Sequence, residues 1–156
     1  MNDRPITILF ASETGFVEEI AEETEDDLES AGLAVQLLEL AEMDRTLLAE
    51  TSPILFMTST TGDGDPPLTA RAFSDDLMSA PLDLSTLHYG LLAAGDSSYP
   101  TFCGFGRRLE QWLQAGGAQA LFPAVYVDSE DEADVDQWRE RLLQALVHGE
   151  VRATGS

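Results

Sequence analysis

Apolar residues along this chain come in two kinds of pattern: short continuous runs, and longer stretches with helical spacing. Ile6-Thr7-Ile8-Leu9-Phe10-Ala11 is short, β-rich and almost wholly apolar, which predicts a strand buried on both faces. A helix follows. Val17, Ile20, Ala21, Thr24, Leu28 and Ala31 recur at helical spacing, and Glu18, Glu19, Glu22, Glu23, Glu25, Asp26, Asp27 and Glu29 fill the remaining positions. Such a helix buries one stripe and turns an acidic face outward. Gly32 stands where a C-terminal cap belongs. Residues 33–40 predict a second strand, 43–50 a short helix, and 53–58 a third strand. Leu68, Ala72, Phe73 and Leu77 predict a helix over 68–78, and Tyr89-Gly90-Leu91-Leu92-Ala93-Ala94 a fourth strand. Phe105, Leu109, Trp112 and Leu113 predict a helix closed at Gly116-Gly117. The last strand is expected over residues 120–127, with Pro123 marking an edge or a bulge. Val135, Trp138, Leu142, Leu143, Leu146 and Val147 predict a final amphipathic helix, and the tail from Gly149 is expected to fray.

Five strands alternating with helices predict an α/β fold: a three-layer, doubly wound parallel sheet with right-handed crossovers. No internal repeat, linker or low-complexity segment divides residues 1–156, so a single domain is expected.

Composition narrows the function. The chain carries 8 basic and 29 acidic residues, for a net charge of −21. A field of that sign disfavours nucleic acid and anionic membranes and favours partners with basic surfaces; a monomer is expected. A high-salt habitat is the other reading of the acidity. Every basic residue is arginine, so a Walker-type phosphate loop, a Schiff base and a lysine general base are excluded. The single cysteine, Cys103, precludes an internal disulfide and suits a reducing cytoplasm. His88 and His148 have no metal-site spacing, so no metal is expected. Neither a signal-peptide pattern nor an apolar run of about 20 residues is seen, and a cytoplasmic location is expected.

Three loops carry the chemistry. In a doubly wound sheet, the loops after strands one, three and four open on one carboxyl edge, where strand order reverses. Here they are Ser12-Glu13-Thr14-Gly15-Phe16-Val17, Ser59-Thr60-Thr61-Gly62-Asp63-Gly64-Asp65-Pro66-Pro67, and Gly95-Asp96-Ser97-Ser98-Tyr99-Pro100-Thr101-Phe102-Cys103. The first joins hydroxyls to the amides of a helix start, a phosphate cradle; read alone, it is equally a hydroxyl-capped helix. The second carries glycines that let backbone lie flat against a ligand. The third presents Tyr99, a ring suited to stacking on a planar heterocycle or to packing on its own loop.

These three motifs, in this order and spacing, resemble the flavodoxin family. The likeness is to the short-chain FMN-binding type: MioC-like flavodoxins and the flavin domains of cytochrome P-450 reductase and sulfite reductase. It covers essentially residues 5–147. The resemblance implies a flavodoxin-like sheet of order 2-1-3-4-5. It also implies FMN phosphate held by Ser12, Glu13, Thr14, Gly15, Phe16 and Val17. The isoalloxazine would lie between Ser59, Thr60, Thr61 and Gly62 on one side and Ala94 to Cys103 on the other, with Tyr99 as the stacking ring. The peptide after Gly62 is the one expected to turn its carbonyl toward flavin N5 on one-electron reduction. The chain departs from the family pattern at Thr61, where diflavin reductases often place an aromatic ring, and at Val17, where a small or hydroxyl residue is commoner. Cys103 matches a family position and is read as packing near the flavin.

The function implied is a one-electron carrier, not an enzyme in itself and without catalytic residues. It would take electrons from a basic-surfaced flavodoxin or ferredoxin reductase and deliver them to redox acceptor proteins. Asp63, Asp65, Asp128, Glu130, Asp131 and Glu132 would steer those partners. Two alternatives stand beside it. One is an FMN-dependent NAD(P)H:quinone oxidoreductase, for which the chain has little spare length. The other is a flavin-free receiver module, whose acidic pair and lysine this chain lacks.

Overall fold

The apolar run at residues 6–11 forms the centre of a parallel sheet. In the computed structural model, residues 6–11, 15–39, 53–59, 84–85, 87–95, 104–122, 124–128 and 131–145 are described. Strand β1 (Ile6–Ala11) leads through helix α1 (Phe16–Ser30) to β2 (Val35–Glu39). Strands β3 (Ile54–Ser59) and β4 (His88–Gly95) follow. Helix α2 (Gly104–Ala115) precedes two short strands, β5 (Gln119–Ala120) and β6 (Val125–Asp128), and α3 (Glu132–Leu143) completes the series. The helices expected at 43–50 and 68–78 lie outside the described residues.

The strand order is β2-β1-β3-β4-β5, with every pairing parallel. This is the doubly wound order expected. The last strand differs from expectation. Instead of one run over 120–127 there are two segments, β5 and β6, and both pair with β4. The Leu121 N–H still donates to the Tyr89 carbonyl of β4 at 2.7 Å. The described residues between the two segments, 121, 122 and 124, belong to neither strand. The sequence has a proline among them, a residue with no N–H to give a neighbouring strand.

Period-two alternation sends each strand's side chains to two opposite cores. Leu9, Ala11, Ile54, Phe56, Tyr89 and Leu91 pack with Leu109 and Leu113 of α2. Ile8, Leu55, Met57, Leu92, Val125 and Val127 pack with Val17, Ile20 and Leu28 of α1 and with Trp138 and Leu142 of α3. Helix α2 therefore covers one face, and α1 with α3 the other.

Helices α1 and α2 end the same way. After α1, the Gly32 N–H donates to the Glu29 carbonyl and the Leu33 N–H to the Leu28 carbonyl, both at 3.0 Å. After α2, Gly117 donates to Gln114 and Ala118 to Leu113, again at 3.0 Å. This double bond pattern needs a left-handed residue at the turn, and the two glycines have φ of 91° and 95°. Each turn delivers the chain directly toward its next strand.

Candidate functional site

The parallel register aligns the carboxyl ends of four strands. Ala11 lies beside Thr58, Thr58 beside Ala93, and Ala93 beside Tyr126. One step further, Ser59 pairs with Ala94, Ala94 with Val127, and Gly95 with Asp128. The three candidate loops therefore leave from adjacent strand ends. The edge is built from small residues: Ala11, Ala93 and Ala94 are buried, and Gly95 is half-buried.

Helix α1 starts beside this edge. Gly15 is its N-cap, with φ of 86° and ψ of −10°. That left-handed geometry suits glycine, and a Cβ placed there would find no atom within 4 Å. The first helical bond runs from the Glu19 N–H to the Gly15 carbonyl at 3.0 Å. The amides of Phe16, Val17 and Glu18 consequently have no intrahelical acceptor, and among the described residues no side chain caps the helix. A helix start of this kind is positive and rich in donors, which suits a phosphate. Glu18 and Glu19 are exposed in the same turn.

The side chain of Val17 is fully buried in the core shared with Trp138. It can offer a ligand only its backbone, which explains why an apolar residue is tolerated there. Phe16 is half-buried against the same core. Thus Gly15, Phe16, Val17, Ser59, Ala94 and Gly95 are placed on one edge of the sheet. Ser12, Glu13, Thr14, Thr60, Thr61, Gly62, Asp96, Ser97, Ser98, Tyr99, Pro100, Thr101, Phe102 and Cys103 lie outside the described residues. Among the described residues, no group of three His, Cys, Asp or Glu side chains could hold a metal.

Behind the edge stands a polar cluster that hydropathy alone does not reveal. The Glu110 carboxylate accepts from the Tyr126 hydroxyl at 3.0 Å and from the Tyr89 hydroxyl at 3.3 Å. Gln114 Nε2 donates to the Tyr89 oxygen at 3.3 Å, and the Arg107 guanidinium lies 4.9 Å from the centre of the Tyr126 ring. Burial lifts the Tyr89 phenol above its ordinary range; the Gln114 amide works against this, while the charge and hydrogen bond of Glu110 add to it. The sequence signal was Arg107, Glu110 and Gln114, a polar stripe at helical spacing beside the apolar Leu109 and Leu113.

The acidic run near β6 is also partly structural. Asp131 Oδ1 accepts from the Ala133 N–H at 2.8 Å, capping α3, and Asp134 Oδ2 accepts from the Asp128 N–H at 3.2 Å.

A doubly wound parallel sheet with a donor-rich helix start at its carboxyl edge defines a nucleotide-type binding protein. The flavodoxin family model matches residues 8–139, and the chain belongs to the flavodoxin family, whose members bind FMN and carry electrons. It is 36% identical over 143 residues to the sulfite reductase [NADPH] flavoprotein alpha-component of Vibrio cholerae, spanning 90% of this chain and 23% of that protein. It is 35% identical over 136 residues to NADPH oxidoreductase A of Dictyostelium discoideum, spanning 86% of this chain and 22% of the relative. The chain thus spans about a quarter of the length of these curated relatives. Among solved structures, the Streptococcus pneumonia TIGR4 flavodoxin superposes with a TM-score of 0.76 at 32% identity, covering 88% of this chain and 94% of that one. A short-chain flavodoxin associated with a bacterial microcompartment superposes with a TM-score of 0.73 at 22% identity, covering 93% and 97%, and shows the same fold.

Proposed function

We propose that this chain is an FMN-dependent electron carrier whose flavin lies across the carboxyl edge of the sheet. The observation that carries this reading is the alignment of the ends of β1, β3 and β4 beside the start of α1. FMN bound there would supply the ability to accept and release electrons one at a time. The protein's own part is to bind and orient it. The amides of Phe16 and Val17, with Ser12, Glu13, Thr14 and Gly15, would hold the phosphate. Ser59, Thr60, Thr61 and Gly62 would flank the ring on one side, and Ala94 to Cys103 on the other, with Tyr99 against it.

Flavodoxin-like carriers pair with reductases and redox acceptors. For this chain the acidic charge favours partners with basic surfaces, and we assign it to work as a single-domain monomer in the cytoplasm. No described helix is long and apolar enough to cross a membrane. Similarity to two NADPH-linked flavoproteins, only about a quarter of whose length is matched, supports a nicotinamide-driven reductase as the electron source. Titration of the apoprotein into FMN, followed by flavin fluorescence, tests the reading. Saturable quenching supports it, and unchanged fluorescence overturns it.

A further inference from the structure

Two kinds of contact hold α1 in place. Its buried stripe of Val17, Ile20, Ala21 and Leu28 packs into the core under the sheet. Apolar contact has no direction, so by itself it tolerates sliding along the helix axis. A hydrogen bond fixes a position, because its distance and angle are narrow. Among the described residues, the buried side-chain bond from α1 to another element is the one the Trp138 indole donates to the Thr24 hydroxyl, at 3.1 Å. Thr24 is itself held by its own helix, donating to the Ile20 carbonyl at 2.8 Å, so its oxygen is a fixed acceptor. Helix α3 in turn takes its place from the carboxyl edge. Asp134 Oδ2 accepts from the Asp128 N–H at 3.2 Å, and Asp128 is the register neighbour of Gly95 at the end of β4. A line of ties therefore runs from that edge through α3 to the middle of α1.

We propose that Thr24 is a positioning residue for the FMN phosphate: by accepting from Trp138 it fixes where α1 begins, and so where the amides of Phe16, Val17 and Glu18 stand. This rests on the FMN reading above. From Phe16 to Thr24 is about 12 Å of helix, at about 1.5 Å per residue. Thr24 is therefore too far from those amides to share a ligand with them. It acts through the helix, whose internal hydrogen bonds make it stiff along its axis, so that a slide at Thr24 reaches the first turn undiminished. The effect is specific to the phosphate, because these amides are at the phosphate end of the ligand. A residue that only stabilised the fold would weaken every flavin ligand alike.

The experiment compares the full chain with Thr24→Val, which keeps the volume and removes the acceptor, and with Thr24→Ser, which keeps the hydroxyl. Each is studied at a temperature where it is folded. Binding of FMN and of riboflavin, which lacks the phosphate, is followed by flavin fluorescence, and the ratio of the two affinities reads the share owed to the phosphate. Thr24→Val should lower that ratio about three- to tenfold, the scale of one hydrogen bond, with riboflavin affinity unchanged. Thr24→Ser should keep the parent's ratio. Equal losses for the two ligands, or no loss for either, would overturn the proposal. So would a fall in the ratio as large in Thr24→Ser as in Thr24→Val. If Thr24→Val does not fold, Trp138→Phe replaces it, removing the donor while Thr24 keeps its bond to Ile20. The same fall in the ratio is expected, and an unchanged ratio would overturn the proposal. Should the unaltered chain itself fail to bind FMN, it is the functional reading that falls.

Discussion

The indole Nε1 of Trp138 donates to the hydroxyl of Thr24 at 3.1 Å, across 114 residues of sequence. The same hydroxyl donates to the Ile20 carbonyl at 2.8 Å, so Thr24 is satisfied within α1 while accepting from α3. Both residues are buried, and the Phe122 ring meets the Trp138 ring edge-on at 5.5 Å. This pair joins α1 to α3, the last described helix.

Replacing Thr24 by valine keeps the volume and removes the acceptor. A buried indole N–H without a partner costs about 1–3 kcal/mol. Urea unfolding of Thr24→Val should show a lower midpoint with an unchanged slope. A midpoint equal to the parent's would mean that water takes over the indole.

The neighbouring ion pair should matter less. Arg139 Nε and Nη2 donate to the Asp27 carboxylate at 2.8 and 3.2 Å, but the Arg139 side chain is 46% exposed. Asp27→Asn should therefore cost no more than about 1 kcal/mol, and the difference should shrink in high salt. Chemical denaturation at two ionic strengths measures it.

Acidic crowding on α1 gives a pH prediction. Partial burial first, then the charges of Glu29, Asp26 and Glu22, hold the Glu25 carboxyl above its ordinary range. The folded state thus binds a proton there more readily than the unfolded state. Stability should fall as pH rises from the ordinary carboxylate range through that raised value. Glu25→Gln should raise neutral-pH stability by about 0.2–0.5 kcal/mol, the scale of like-charge pairs one turn apart. Thermal melts from pH 4 to 7 check the sign.

Tyr89 gives the opposite end of the range. Its phenol is held protonated in the fold, so above about pH 10, where the unfolded phenol ionises, the native state binds more protons. Stability should fall with further alkalinity, until the folded phenol also ionises. Tyr89→Phe should lose about 1 kcal/mol at neutral pH and flatten that alkaline slope. An unchanged slope would place the alkaline sensitivity elsewhere.

How much of this was legible in the sequence depends on the distance over which each interaction acts. Strands β1, β3 and β4 stood out because a buried parallel strand has no solvent face and reads as continuous apolar sequence. Gly32 and the Gly116-Gly117 pair showed the helix ends because those turns are local. The division between β5 and β6 was visible only as a proline, since a ladder with β4 is a tertiary fact. Thr24 was assigned to the apolar stripe, and correctly, but its bond to Trp138 joins positions no local pattern connects. Asp128 and Asp131 were read with the docking charges; the bond from the Asp128 N–H to Asp134 and the cap at Asp131 depend on the path of the chain into α3. Of the site itself, the motifs gave the loops, and the fold supplies the common edge from which they leave.

The most direct test is a stepwise anaerobic reduction of the FMN-loaded protein followed by visible absorption. Two resolved one-electron steps, with a long-wavelength band rising and then fading, are the result this account requires. Such a record would leave the identity of the redox partners as the next question. A single two-electron step with no intermediate band, or a protein that takes up no FMN, would contradict it.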